Sequence, residues 1–244
     1  MSNKRYQKAI WLHLKSLLRL PAYWAPTLIF PVMLYIMFGS GGSGREADFR
    51  MASFVVYAVI GVAFFQFGVS IAQERESHWE RYRRTLPGAG GPRIASQLVS
   101  ALVFALLAAV LVVIAGLLFS EPSIGAVRIS ALLFAAMWVT IPFTFLGIAL
   151  GYWTTAKSAI AWAQLLYLPM AYAGGLWMPP DRLPTAVAEI SRFTPTRHGG
   201  EIVWAIVGGH TIPGESIIWL AGFSVVFALI AYRGYQRDER TRYA

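Results

Sequence analysis

The sequence predicts an all-α polytopic membrane protein, and three observations carry that prediction. Hydrophobic residues make up 57% of the 244-residue chain, and they fall in blocks long enough to cross a bilayer. No Asp, Glu, Lys, Arg or His lies inside any of these blocks. Lys and Arg crowd instead into alternate connecting segments, the bias that orients membrane helices. Together these exclude a soluble globular domain. The absence of cysteine removes disulfides, thiolate nucleophiles and Cys-based metal sites. The net charge of +9 fits this membrane placement better than nucleic-acid binding, so no nucleic-acid partner is expected.

Taken in order, residues 4–20 set Ile10, Trp11, Leu14, Leu17 and Leu18 among Lys4, Arg5, Lys8, Lys15 and Arg19. This is a basic amphipathic helix suited to the headgroup layer, with Trp11 as an anchor. It lacks the apolar core of a cleavable signal, so none is expected. Pro21 ends it. Residues 23–38 form the first span, kinked at Pro26 and Pro31. A glycine-rich link (40–44) and a short charged loop (45–50) lead to the second span, 51–72, with Gly61 and Gly68 seven apart on one face. The third span is 94–119, followed by a turn at 120–128. The fourth, 129–151, is kinked at Pro142 and carries Gly147-x-x-x-Gly151, a spacing that permits close helix contact. After a polar turn the fifth span is 158–177, with Pro169 inside it.

Residues 178–213 are too polar to span but contain apolar stretches at 183–190 and 202–207. They read as two short helices in an outer loop, broken at Thr194-Pro195 and Gly199-Gly200. The sixth span is 217–232, and 233–244 is a basic tail. The chain is thus a single transmembrane domain, 1–244. Six spans put both termini on one side, which holds 15 of the 21 Lys and Arg and 5 of the 12 acidic residues. The net charge is +10 on that side and −1 on the other. The positive-inside rule makes the former cytoplasmic.

Residues 73–86, on that inner side, are the densest charge in the chain. Glu74, Arg75, Glu76, Glu80, Arg81, Arg83 and Arg84 lie within twelve residues. As a helix the segment puts Trp79, Tyr82 and Leu86 on one narrow apolar stripe, and Pro87 with the glycines after it ends it. A rigid rod between two spans is a surface that another protein can grip and push.

The chain holds no engine of its own. Its lysines are Lys4, Lys8, Lys15 and Lys157, and none sits in a phosphate-binding loop. The spans lack the ionisable groups that ion-coupled carriers and proton pumps usually need. No Gly-x-Ser-x-Gly or His-Glu-x-x-His is present. Phe64, Phe65, Gln66, Gln164 and Tyr167 are candidates for a substrate path, although Gln66 and Gln164 are better suited to bonding helices together.

Glu74-Arg75-Glu76 directly after the second span, then Trp79 to Pro87, resembles the coupling-helix signature of ABC type-2 permeases, the membrane subunits of ATP-binding-cassette exporters. The resemblance extends over nearly the whole chain, including the N-terminal interfacial helix and the loop from Leu176-Trp177-Met178-Pro179-Pro180 through Thr194-Pro195-Thr196 and Gly199. Where the commoner signature has Gly-Thr, His78-Trp79 stands here. The resemblance implies a dimer with a second permease copy or paralogue in a bacterial cytoplasmic membrane, each permease gripped by a cytoplasmic ATPase subunit. ATP and Mg would sit on that partner, with no cofactor in this chain. Glu74, Arg75, Glu76, Glu80, Arg81, Arg83 and Arg84 would meet the ATPase, with Trp79 and Tyr82 seating the rod. The implied cargo is amphipathic or lipophilic: a drug, antibiotic, lipid or glycan. Two other readings stand beside this one, a membrane-embedded enzyme using His198, Glu201 and His210, and an ion-coupled secondary transporter.

Overall fold

A computed structural model describes residues 2–19, 21–77 and 90–243. Its helices, in order, are α1 (Ser2–Leu18), α2 (Pro21–Leu34, closing in a π turn, Tyr35–Gly39), α3 (Gly44–Glu76), α4 (Gly90–Phe119), α5 (Ala126–Trp153), α6 (Ala159–Ala173), α7 (Thr185–Ser191), α8 (Pro195–Gly208) and α9 (Gly214–Tyr243). Among the described residues there is no sheet, only a two-residue parallel bridge of Ser43 and Gly44 with Glu121 and Pro122. Among the described residues four helices are long and apolar enough to cross a membrane: Gly44–Glu76, Ser96–Phe119, Ala126–Trp153 and Gly214–Arg240. The expected first and fifth spans are shorter apolar helices, Trp24–Gly39 and Ala159–Ala173. At 1.5 Å per residue they reach roughly 22–24 Å, less than a hydrocarbon core of about 30 Å.

Contacts at the helix ends give the topology. Tyr35 bonds Ser120 at one end of the bundle, where Arg128 of α5 meets Val207 and Ser216 of α9 meets Glu201. We call this the cap end, since α7 and α8 lie there. Glu74 meets Gln97 at the opposite end, where Arg75 meets Asp238 and Glu76 meets Ala156. Helices α3, α4, α5, α6 and α9 therefore alternate in direction between the two ends, and α2 runs toward the cap. The Trp24 indole donates to Leu18 O, tying α1 to the start of α2.

The organising feature is α3. Of its apolar window 89% is buried, against 17% for α9. Every residue from Met51 to Phe64 is buried, with Phe54, Tyr57 and Phe64 packed among Tyr35, Phe104 and Phe143. In a membrane such packing is held by close fit rather than by exclusion of water, so small residues matter. A Cβ on Gly147 would stand 2.6 Å from Ala63 O, and one on Gly151 would stand 2.8 Å from Ile71 Cβ. The Gly147-x-x-x-Gly151 spacing thus brings α5 against α3. Gly61 and Gly68 do not share a face. Gly61 lies against Tyr167 of α6 and Gly68 against Leu150 of α5, because the π turn Phe64–Val69 between them adds a residue to the helical repeat.

Other boundaries differ from expectation for local reasons. Residues 45–50 are not a loop but the first turns of α3, supported by a Glu46–Arg50 pair at 2.6 Å. Buried Asp48 accepts from the Ser123 and Ile124 N–H groups and the Ser123 hydroxyl at 2.6–3.1 Å, fastening α3 to the loop before α5. Thr194-Pro195 does break the cap, with the Thr194 hydroxyl accepting from Arg197 N as an N-cap. Gly199-Gly200 does not: α8 runs through it, and Gly199 faces Val139 where a Cβ would be 2.6 Å away. The basic tail is helical, a continuation of α9.

Gly147→Leu should destabilise the purified protein by about 1–3 kcal/mol, through overpacking against α3. Thermal unfolding in detergent reads this as a lowered Tm. Gly222→Leu, where a side chain meets nothing within 4 Å, should leave Tm near its starting value.

Candidate functional site

The last turn of α3 carries Glu74, Arg75 and Glu76, and each is held by a different neighbour. The Gln97 amide of α4 donates to Glu74 Oε2 at 2.9 Å. Arg75 points across the bundle, donating to Asp238 of α9 from Nε at 3.1 Å and Nη2 at 2.6 Å. Its Nη1 reaches Gly151 O at 2.6 Å, one of the carbonyls that the end of α5 leaves unsatisfied. The guanidinium also lies over the Tyr152 ring at 5.2 Å. Glu76 Oε1 accepts from Ala156 N at 3.0 Å, in the turn leading to α6. One helical turn thus ties α3 to α4, α5, α9 and the approach to α6. A second clasp joins α5 to α9, where the Trp153 indole donates to Ile230 O, Tyr152 meets Tyr235 edge-on, and Arg237 lies over Trp153.

The sequence reading placed Arg75 on a surface for a partner; here its side chain is 16% exposed and paired with Asp238, itself 6% exposed. The helix ends at Glu76 and Ser77 is extended, so the expected rod over 73–86 is not one continuous helix. Trp79, Glu80, Arg81, Tyr82, Arg83 and Arg84 lie outside the described residues. Asp238 was missed because it sits among tail arginines. The signal was present in the spacing of Ala231, Gly234 and Asp238, a buried stripe at helical intervals continuing the sixth span.

Three of the five path candidates come together. Phe65, Gln164 and Tyr167 line a cavity of about 630 Å³ between α2, α3 and α6, walled also by Pro26, Phe30 and Pro31. Among the described residues no charged side chain lines it. The Tyr167 hydroxyl is committed to Tyr57 O at 2.8 Å, and the two rings stack at 4.6 Å. Phe64 is fully buried behind Tyr167, with ring centroids 6.0 Å apart. Gln66 is buried away from the cavity lining, and its Oε1 has no hydrogen-bond partner.

At the cap, His198 and Glu201 of α8 meet Ser216 of α9, whose hydroxyl donates to Glu201 at 2.5 Å while His198 Nδ1 lies 3.3 Å from it. Arg197 donates to the other Glu201 oxygen at 2.7 Å, and Trp219 stacks on the His198 ring. Burial raises the Glu201 pKa, but bonds from Ser216 and Arg197 and the nearby positive charge outweigh it and leave it lowered. His210 is exposed, its backbone N–H closing the end of α8 on Ala205 O. No group of three or more His, Asp and Glu among the described residues is placed to hold a metal.

Two measurements check these contacts. A double-mutant cycle of Arg75→Gln and Asp238→Asn should give a coupling of about 1–3 kcal/mol in thermal or denaturant unfolding. Because its pKa is lower folded than unfolded, Glu201 stabilises the cap above the usual carboxylate range. That contribution is lost as pH falls through the lowered value, so Glu201→Gln should flatten the acid limb of a Tm-against-pH curve.

A membrane body with an inward-tied charged turn and an uncharged cavity finds its relatives among transport proteins. The family model described as ABC-2 type transporter matches residues 5–208. The chain is also 23% identical over 234 residues to the Bacillus subtilis (strain 168) protein named "Putative transport permease YvfS", an alignment covering 92% of this chain and 94% of that one. A match over most of its length makes this chain a member of the ABC-2 type transporter family, a multi-pass membrane permease component.

Proposed function

We propose that this permease is the membrane half of an ATP-driven exporter of amphipathic or lipophilic molecules. It would work as a dimer with each copy gripped by a separate cytoplasmic ATPase. The observation that carries the reading is that one buried helix, α3, has the tied charged turn at its end and the uncharged cavity along its side. A push on the segment after Glu76 would act on the helix that forms a wall of the cavity. The cavity is of ligand size, and among the described residues its polar lining side chains are Thr27, Gln164 and Tyr167, the last bonded to Tyr57 O. It is open on its α2–α6 side, where exposed Ile29, Phe30, Met33 and Leu165 would meet a second copy.

In this reading the Glu76 end faces the cytoplasm, as the charge bias predicts. Glu76, Glu80, Arg81, Arg83 and Arg84, with Trp79 and Tyr82, would meet the ATPase, and Arg75 would act as a positioning residue that keeps the site square to the bundle. ATP and Mg belong to the ATPase, and this chain is the non-catalytic component.

With the ATPase co-expressed and both reconstituted in vesicles, Glu76→Ala with Glu80→Ala should lower ATP-dependent export by about tenfold, the usual size of coupling between distant sites. Gln164→Trp should reduce export while the ATPase still co-purifies. Export at full rate without the ATPase contradicts the proposal.

A further inference from the structure

The cap end carries a second apolar groove, on the face of the bundle away from α2 and unrelated to the coupling turn. It has a volume of about 560 Å³ and lies between α5, α8 and α9, walled by Ala131, Trp138, Pro142, Ile206, Leu220 and Ala221. Among the described residues its polar lining groups are the Trp138 indole N–H and the Ser224 hydroxyl, which donates to Leu220 O of its own helix at 2.7 Å. With no charged side chain among its described lining residues and walls of aliphatic and aromatic carbon, the groove suits hydrocarbon. Along α5 it runs from Ala131 to Pro142, eleven residue steps or roughly 16 Å, close to the half-thickness of a hydrocarbon core of about 30 Å.

One helical turn beyond Ala131, toward the membrane surface, stands Arg128. It is exposed, and its Nη1 donates to Val207 O at 3.3 Å. Gly209 makes room for the guanidinium: a Cβ there would stand 2.8 Å from Nη2, and its φ of +71° is one that side-chain-bearing residues rarely adopt. Among the described residues no carboxylate pairs with Arg128. A guanidinium has five donors, and one backbone carbonyl leaves it able to bind an anion.

A hydrocarbon slot one leaflet long with an uncompensated cation at its surface end matches a phospholipid. We propose that this groove is a lipid-binding site, holding one acyl chain of a phospholipid from the cap-side leaflet with its phosphate on Arg128. The site is separate from the α2–α6 cavity, and the inference does not depend on the cargo.

Native mass spectrometry tests it. The full-length chain is reconstituted in vesicles of palmitoyl-oleoyl phosphatidylglycerol and phosphatidylethanolamine, then extracted in mild detergent. It should keep one defined phospholipid per chain after bulk lipid is removed. Ala221→Trp, placed to fill the groove from an exposed position on α9, should remove that lipid. Arg128→Gln keeps a donor for Val207 O but no charge, and should weaken retention about tenfold. Circular dichroism confirms that each variant is folded; if Ala221→Trp is not, Arg128→Gln decides alone. The proposal is overturned if the unaltered chain carries no defined phospholipid, or if the folded variants hold it as tightly as the unaltered chain does. It is overturned equally if Ala221→Trp leaves the lipid in place and dissociates a dimer, which would give the groove to a second copy.

Discussion

A helix enclosed on every side by its neighbours cannot shift without moving them, and α3 is such a helix. Its backbone is satisfied internally, as hydrocarbon requires, and its side chains are buried without a break over more than three turns. Lipid supplies little force to press helices together, so the enclosure depends on fit. Glycines on α5 let the backbones approach, aromatic rings fill the space toward α2, α4 and α6, and the ends are fastened by polar groups. Those polar fastenings lie near the two ends of α3: Asp48 at the cap, and Glu74, Arg75 and Glu76 at the other. Burial of Arg75 and Asp238 is tolerated because each finds its opposite charge and Arg75 also satisfies Gly151 O.

Stiffness of this kind gives the uncharged cavity its meaning. Among the described residues no Asp, Glu, Lys, Arg or His lines the cavity, and these are the groups through which a membrane site usually binds and releases a proton. In the function proposed above work arrives mechanically, and the tied turn at the end of α3 offers a place for it to arrive. The cap forms a different kind of closure, a small polar network of Arg197, Glu201, His198 and Ser216 joining α8 to α9. Its members bond one another, although the buried Nε2 of His198 has no partner among the described residues.

The apolar blocks were legible in the sequence because membrane helices impose length and exclude charge, and both leave marks in a single chain. The Thr194-Pro195 break was legible because Pro removes a donor and Thr supplies a cap. Gly199-Gly200 misled because glycine serves close approach as readily as it serves a turn, and only the neighbour, Val139, decides between them. The tail hid Asp238, since in one dimension an acid among arginines reads as solvated charge. The cavity was half legible. Phe65, Gln164 and Tyr167 meet there through helix rotation, whereas Phe64 and Gln66, one residue to either side of Phe65, point elsewhere across the π turn.

The central claim is that the end of α3 binds the surrounding helix ends into one body. Since the chain has no cysteine, spin labels can be attached at Lys157→Cys and Arg240→Cys without further change. These sites flank the Glu76–Ala156 and Arg75–Asp238 contacts. The distance between the labels, read by pulsed electron resonance on the chain reconstituted with the ATPase proposed above, should stay the same with and without ATP. A separation that shifts or broadens when ATP binds would show the two helix ends moving independently, and the claim would fail.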